Sequence, residues 1–245
     1  MTQKIKNYVL VHGAWGSAWE FEDVTKLLSA DGSNVVAPDL PGHGENPAAI
    51  EAVTMQAYVD HLIRVITNIN EKVILVGHSL AGAVISQVAE HIPEKIDRLV
   101  YVAAFLPKNG DVPIELMQGD EKGELLPRID FSQDQTYATL KEEVIVNQLL
   151  HDVADPEVVK RWIPVLSIKQ ATQPFMTALS LSEKAFGSVP KYFVRAKLDK
   201  VMSLGLQNEM IGNWPVEQVY TLESGHFPLT SMADQLSETI QKITA

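Results

Sequence analysis

Short unbroken apolar runs alternate along this 245-residue chain with stretches whose apolar positions repeat every three or four residues. The clearest run is Val73-Ile74-Leu75-Val76, inside the string KVILVGHSLAGAV from Lys72 to Val84. It offers no polar position to either face, the pattern of a strand buried on both sides of a parallel sheet. Ile5 to His12 reads as a first strand and Asn34 to Asp39 as a second buried one. Arg98 to Phe105, Lys191 to Ala196 and Glu217 to Leu222 follow as later strands. Between them, Trp19, Val24, Leu27 and Leu28 make a helical stripe, closed at Asp31-Gly32 where glycine supplies a positive-φ stop. Tyr58, Leu62, Ile63 and Ile66 make a second stripe. Further helices are expected after Ser79 as far as His91 and from about Met232 to Ile243. Strand and helix alternating in this way predict an α/β fold with a mostly parallel, doubly wound sheet of about six strands.

The rhythm breaks once. Between Asn109 and Ser188 no buried strand is expected, and charge, proline and helix-compatible stretches such as Leu140 to Leu150 and Pro156 to Val165 dominate. An insertion placed there reads as a lid over the carboxyl ends of the strands, where open α/β sheets keep their sites. The expected division is a core formed by residues 1–108 and 189–245, with residues 109–188 as the lid.

The chemistry is concentrated at strand ends. Gly77-His78-Ser79-Leu80-Ala81 stands between the run 73–76 and a helix, the setting of a nucleophile elbow. Small neighbours are needed at so tight a turn, and Ala81 keeps small the position that glycine usually fills. A serine hydroxyl needs a base, and the base needs an acid to fix its tautomer. In this fold the acid and base follow the serine in chain order, on later loops. Of the seven histidines, only His151 and His226 lie well downstream of Ser79, and His226 alone follows a strand end. His226 is therefore the expected base, and His151-Asp152 a structural pair or lid contact. Asp199, after KYFVRA, is the expected acid. It could instead be a surface carboxylate between Lys197 and Lys200, but its place at a strand end decides for the acid. Glu223 lies too near His226 in sequence to approach it from a neighbouring strand. The oxyanion hole should combine the N–H of Leu80 with that of Ala14 after the first strand. His12 and Gly13 are read as shaping that loop.

Composition narrows the picture by exclusion. A net charge of −11 argues against nucleic acid or an anionic membrane as the main partner. The absence of cysteine removes disulfides, thiolate metal sites and cysteine nucleophiles. No apolar run reaches the length of a membrane span and the amino terminus has no signal pattern, so a cytoplasmic location is expected. No metal site or cofactor is indicated, because no His/Asp/Glu cluster has ligand spacing outside these loops. A homodimer is retained as an expectation, since nothing in the sequence fixes the assembly.

With these residues placed, the chain resembles the α/β-hydrolase superfamily throughout. More narrowly it is similar to the branch of plant methyl salicylate and methyl jasmonate esterases, hydroxynitrile lyases and bacterial pyrethroid-hydrolysing esterases. The strings that carry the likeness are YVLVHGAW, EKVILVGHSLAG, YVAAFLP, and the LD and GH at two later strand ends. The likeness covers the sheet well and the lid poorly. It implies the triad Ser79, Asp199 and His226 and the oxyanion hole Ala14 and Leu80. The branch's lyases carry a threonine and a lysine at positions that here are Gly13 and Phe227, so the resemblance implies hydrolysis of a small ester rather than cyanohydrin cleavage. A low-turnover small-molecule receptor built on the same triad is a further alternative. Gly13, Trp15 and Phe227 are the expected pocket residues, and lid side chains such as Met117, Trp162 and Phe175 supply further apolar surface.

Overall fold

The expected strands and helices form, and their burial follows their place in the sheet. The structure is a computed structural model that describes residues 5–245; the first four residues of the expected core lie outside the described ones. The strands are β1 (Asn7–Val11), β2 (Asn34–Val36), β3 (Val73–His78), β4 (Ile96–Val102), β5 (Asp130–Phe131), β6 (Tyr137–Thr139), β7 (Gln170–Ala171), β8 (Lys191–Ala196) and β9 (Gln218–Leu222). Six of them form one sheet in the order β2-β1-β3-β4-β8-β9, with every neighbouring pair parallel. Every residue of β1 and β3 is buried, as expected for inner strands covered on both faces.

The expectation of a second buried strand from Asn34 to Asp39 is corrected. β2 is three residues long and half-exposed, because it pairs only with β1 and forms the edge of the sheet. Its apolar residues are those of a strand, but Val36 faces solvent (39% exposed). β9 is the opposite edge and is likewise largely exposed.

The helices are α1 (Glu22–Ser29), α2 (Met55–Thr67), α3 (Ala81–His91), α4 (Pro113–Gly119), α5 (Glu142–Val144), α6 (Pro156–Leu166), α7 (Leu204–Ile211), α8 (Pro228–Ser231) and α9 (Ala233–Ile243). Val24 and Leu28 bury one face of α1 against α9, and Tyr58, Leu62 and Ile66 bury one face of α2, which packs on α3. Thr54 caps α2 through the Ala57 N–H, and Gly32 closes the turn after α1 at φ 85°.

The chain leaves β1 outward to β2 and returns on the other side to β3. The loops after β1 and β3 therefore diverge at the carboxyl edge and open a crevice between them.

The segment between β4 and β8 also departs from expectation. β5, β6 and β7 form a small antiparallel sheet, and β7 is buried. Strands of two or three residues are too short to show a period of two, so the pattern could not announce them. The stretch 140–150 is not one α-helix: α5 gives way to a π-turn over Ile145–Leu149. α6 forms where expected, with Asp155 capping the Glu157 N–H and Pro156 in its first turn. Trp162 on α6 packs on Trp19, their ring centroids 4.8 Å apart, which joins the inserted segment to the core. Among the described residues, no helix is long and apolar enough to cross a membrane.

Candidate active site

Three non-glycine residues with positive φ stand just after the central strands: Trp15 after β1 (57°), Ser79 after β3 (54°) and Ala103 after β4 (43°). Such backbone persists only where its surroundings hold it, and functional sites collect it. Ser79 is held by its own N–H donating to the Val102 carbonyl (3.3 Å), while its carbonyl accepts from Gly82 and Phe105 (both 3.1 Å). The small residues of the elbow have unequal tasks. A side chain at Gly77 would meet Ile85 at 2.9 Å and the Ala81 backbone at 3.0 Å, and one at Gly82 would meet the Phe105 carbonyl oxygen at 2.2 Å. Position 81 accommodates its methyl group, so the departure from glycine there leaves the turn intact.

Ser79, His226 and Asp199 come together in one hydrogen-bonded line. Ser79 Oγ lies 2.9 Å from His226 Nε2, and His226 Nδ1 lies 2.8 Å from Asp199 Oδ2. His226 and Asp199 are both buried. With Nδ1–H donated to the carboxylate, Nε2 is left as the acceptor that faces the serine hydroxyl. The second carboxylate oxygen of Asp199 accepts from the N–H groups of Val201 (2.7 Å) and Met202 (3.0 Å). The flanking lysines turn elsewhere: Lys197 pairs with Glu223 (2.7 Å) at the surface, and Lys200 donates to the Asn147 carbonyl. Asp199 is thus buried against His226 and not a surface carboxylate, while Glu223 is turned to Lys197 at the surface.

Ala14, Trp15, Ser79, Phe105, Met117, Leu125, Leu149, Phe175, Val201, His226 and Phe227 surround a narrow cavity, together with His78. In this closed form it has room for only one or two water molecules. Trp15 and Phe227 thus lie where the sequence put them. Gly13 lies beside Ser79, where an added Cβ would sit 3.0 Å from the serine Cβ, and its N–H donates to Glu20; it is not among the residues around the cavity. Leu80 is buried at the turn into α3, with its N–H in the first turn of that helix. Trp15 is fixed by its N–H to Gln170 Oε1 (2.9 Å) and its indole N–H to the Ala138 carbonyl (3.2 Å).

Gln207, Asp120 and His43 escaped the sequence reading, whereas His151-Asp152 is the expected structural pair or lid contact and His12 an expected part of the first loop. Gln207 on α7 accepts from the Ala196 N–H and donates to the Ala196 and Met202 carbonyls, bracing the turn that carries Asp199. Asp120 accepts from Ser203 beside the same turn. His151 Nε2 meets the Leu198 carbonyl (2.9 Å) and Asp152 accepts from the Gly225 N–H (2.6 Å), so this pair reaches both the acid and the base loops. His12 and His43 lie buried under the first loop. Burial pushes the His43 ring down to about 4, and the neighbouring His12 adds to it. Glu20 and His78 are buried beside them. Glu20 did carry a signal, since it precedes Val24 and Leu28 at i, i+4 and i+8 and so falls on the apolar stripe. Among the described residues, no group of three or more His, Asp or Glu side chains could hold a metal ion.

A parallel sheet with a serine at the turn after its central strand, lined up with a histidine and an aspartate from two later loops, defines the class of the α/β hydrolases. Sequence comparison agrees: the model of the alpha/beta hydrolase family matches residues 8–239, and the chain belongs to that family. Methylesterase 8 of Arabidopsis thaliana is 31% identical, over 97% of this chain and 89% of its own length. A longer relative from the same plant, named as a chloroplastic methylesterase 11, is 32% identical over 97% of this chain, which spans 63% of that relative. Among solved structures, a pyrethroid hydrolase from Sphingobium faniae JZ-2 superposes with a TM-score of 0.84 at 27% identity, covering 98% of this chain and 97% of that one.

Proposed function

We propose that the protein is a serine carboxylesterase acting on small, neutral, largely apolar esters through an acyl-enzyme. The observation that carries this reading is the continuous line Asp199–His226–Ser79 opening into a cavity. Apart from His78, Ser79 and His226, the side chains around that cavity are apolar, which favours a neutral ester. The names of the relatives, methylesterases and a pyrethroid hydrolase, support the ester chemistry.

In this mechanism His226 Nε2 takes the Ser79 proton as Oγ attacks the ester carbonyl. The Ala14 and Leu80 N–H groups receive the developing oxyanion. His226 then returns its proton to the departing alcohol oxygen, and water repeats the sequence to release the acid. Asp199 holds the base in its Nδ1–H tautomer and stabilises the imidazolium. Residues 109–188 act as a lid, and an ester entering the closed cavity must displace side chains such as Met117, Leu149 and Phe175.

The test is hydrolysis of p-nitrophenyl acetate, p-nitrophenyl butyrate and a panel of methyl esters by wild type and Ser79→Ala, with fluorophosphonate labelling alongside. Turnover and labelling that vanish in the variant are expected. Wild-type hydrolysis no faster than that of Ser79→Ala on every ester, with no labelled serine, refutes the proposal.

A further inference from the structure

Besides His226, three buried histidines lie in or under the loops of the site, and their partners set one apart. His12 gives Nδ1–H to the Gly13 carbonyl (2.8 Å) and accepts the Leu40 N–H at Nε2 (3.0 Å), which a neutral ring satisfies. His43 gives Nδ1–H to the Gly16 carbonyl (2.8 Å) and accepts the Tyr58 hydroxyl at Nε2 (2.9 Å), again as a neutral ring. His78 faces an acceptor at both nitrogens: Glu20 Oε2 at 3.1 Å from Nδ1 and the His226 carbonyl at 2.8 Å from Nε2. Nε2–H is donated to the carbonyl, and one proton shared between Nδ1 and Glu20 Oε2 makes the second bond, so the ring holds both neighbours at once.

Glu20 is built into place. It is buried in a 3₁₀ turn over Ala18–Phe21, and the same Oε2 also accepts the Gly13 N–H (3.2 Å). Its other oxygen sits against Gly16, where a Cβ would stand 1.6 Å away. Burial pushes the carboxyl upward, but the hydrogen bonds of His78 and the Gly13 N–H outweigh it and hold the group below its ordinary range.

One path therefore runs from the Gly13 N–H through Glu20 and His78 to the His226 carbonyl, passing beneath Ser79. We infer that Glu20 and His78 are positioning residues whose hydrogen bond ties the Gly13–Ala14 loop to the loop of the general base, fixing the oxyanion donor and His226 relative to the serine between them. The inference takes its catalytic meaning from the esterase reading. Neither side chain acts on the ester directly. Glu20→Gln breaks the path without a large change of shape, because one amide atom cannot both accept from Gly13 and donate to a neutral His78 ring.

The test uses Glu20→Gln, His78→Gln and the double variant in the full chain. Hydrogen exchange followed by mass spectrometry reads the coupling without any substrate: faster exchange is expected in residues 12–16 and 224–228 together, in either single variant. With p-nitrophenyl acetate as probe, kcat should fall roughly 10- to 100-fold while KM stays within about threefold, since misplacement of the donors and base weakens the transition state. The double variant should be no slower than the worse single one, because both break the same connection. It is neutral at both positions, so it keeps the question open to measurement if one single variant does not fold. Exchange that rises in only one loop, or folded variants whose kcat stays within about twofold of wild type, overturns the inference. A wild type that neither hydrolyses the probe nor labels at Ser79 would sink the esterase reading, and the exchange measurement would still decide the coupling of the two loops.

Discussion

Replacing Gly82 by alanine tests the packing of the elbow most directly. The new methyl carbon would lie 2.2 Å from the Phe105 carbonyl oxygen, 2.8 Å from its nitrogen and 2.9 Å from the Ala104 Cβ. Comfortable carbon contacts begin at about 3.5 Å, so the overlap with the oxygen exceeds roughly 1 Å and falls on backbone that cannot rotate away. Overpacking of this kind costs up to about 3 kcal/mol, and the intrinsic helix preference of alanine over glycine returns about 1 kcal/mol. The net loss of about 2 kcal/mol should lower the melting temperature by about 4–8 °C in a chain of this size. Phe105 and Gly82 both donate to the Ser79 carbonyl, so relief of the clash must shift the serine and the start of α3. A displacement of about 1 Å there should lower kcat on p-nitrophenyl acetate by about 100-fold. Gly119→Ala is the control, since a Cβ at that position meets nothing within 4 Å. The measurements are circular-dichroism melting and steady-state kinetics on both variants. A Gly82→Ala protein that melts within about 1 °C of wild type and keeps full turnover would refute the packing argument.

Other expectations follow from the same geometry. Asp199→Asn should leave the fold intact and lower kcat by about 10⁴-fold, because the amide no longer holds the Nδ1–H tautomer of His226; undiminished hydrolysis would move the acid elsewhere. His43, held at about 4 in the folded chain against 6.5 unfolded, makes the unfolded state the better proton acceptor between those values. Its contribution is complete above pH 6.5 and is lost as pH falls, reaching about 2.5 kcal/mol by pH 4.5, and urea midpoints of wild type against His43→Gln should show the smaller acid loss in the variant. Asp152→Ala strands the Gly225 N–H and should cost about 1–3 kcal/mol in a denaturant titration. Wild-type stability in that variant would show the contact to be dispensable.

The inner sheet was legible because β1, β3 and the second half of β4 are covered on both faces and their sequences are correspondingly apolar. The edges were not. NVVAPD has the composition of a buried strand, and only its position beside a single neighbour leaves Val36 in solvent. β5, β6 and β7 owe their existence to pairing between segments as distant as Tyr137 and Ala171, which no local pattern records. At the site the same division holds. Ser79, Asp199 and His226 could be found because this fold delivers such residues at strand ends in a fixed chain order. Gln207 carried no motif, and the partners of Asp152 and His78 could not be read, since each bonds a backbone group far away in sequence. Glu20 lay between these cases: its place on an apolar stripe marked it as buried, but its partner could be seen only in three dimensions.

Changes of substrate range in such a scaffold are channelled by where the inserted segment is moored. Asp120, Glu124, His151 and Asp152 make hydrogen bonds to the turns bearing Asp199 and His226. Among the described residues, the β5–β6 hairpin makes none to either turn. β6 must stay, since its Ala138 carbonyl holds the Trp15 indole, but changes on the β5 side around Phe131 and Ile129 leave the turns of Asp199 and His226 in place. A graft that replaced the whole segment would have to bring its own equivalents of the four anchors. The inserted segment is thus half variable surface and half scaffold, and a recombination experiment that cut it on the β5 side should leave the line Asp199–His226–Ser79 in place.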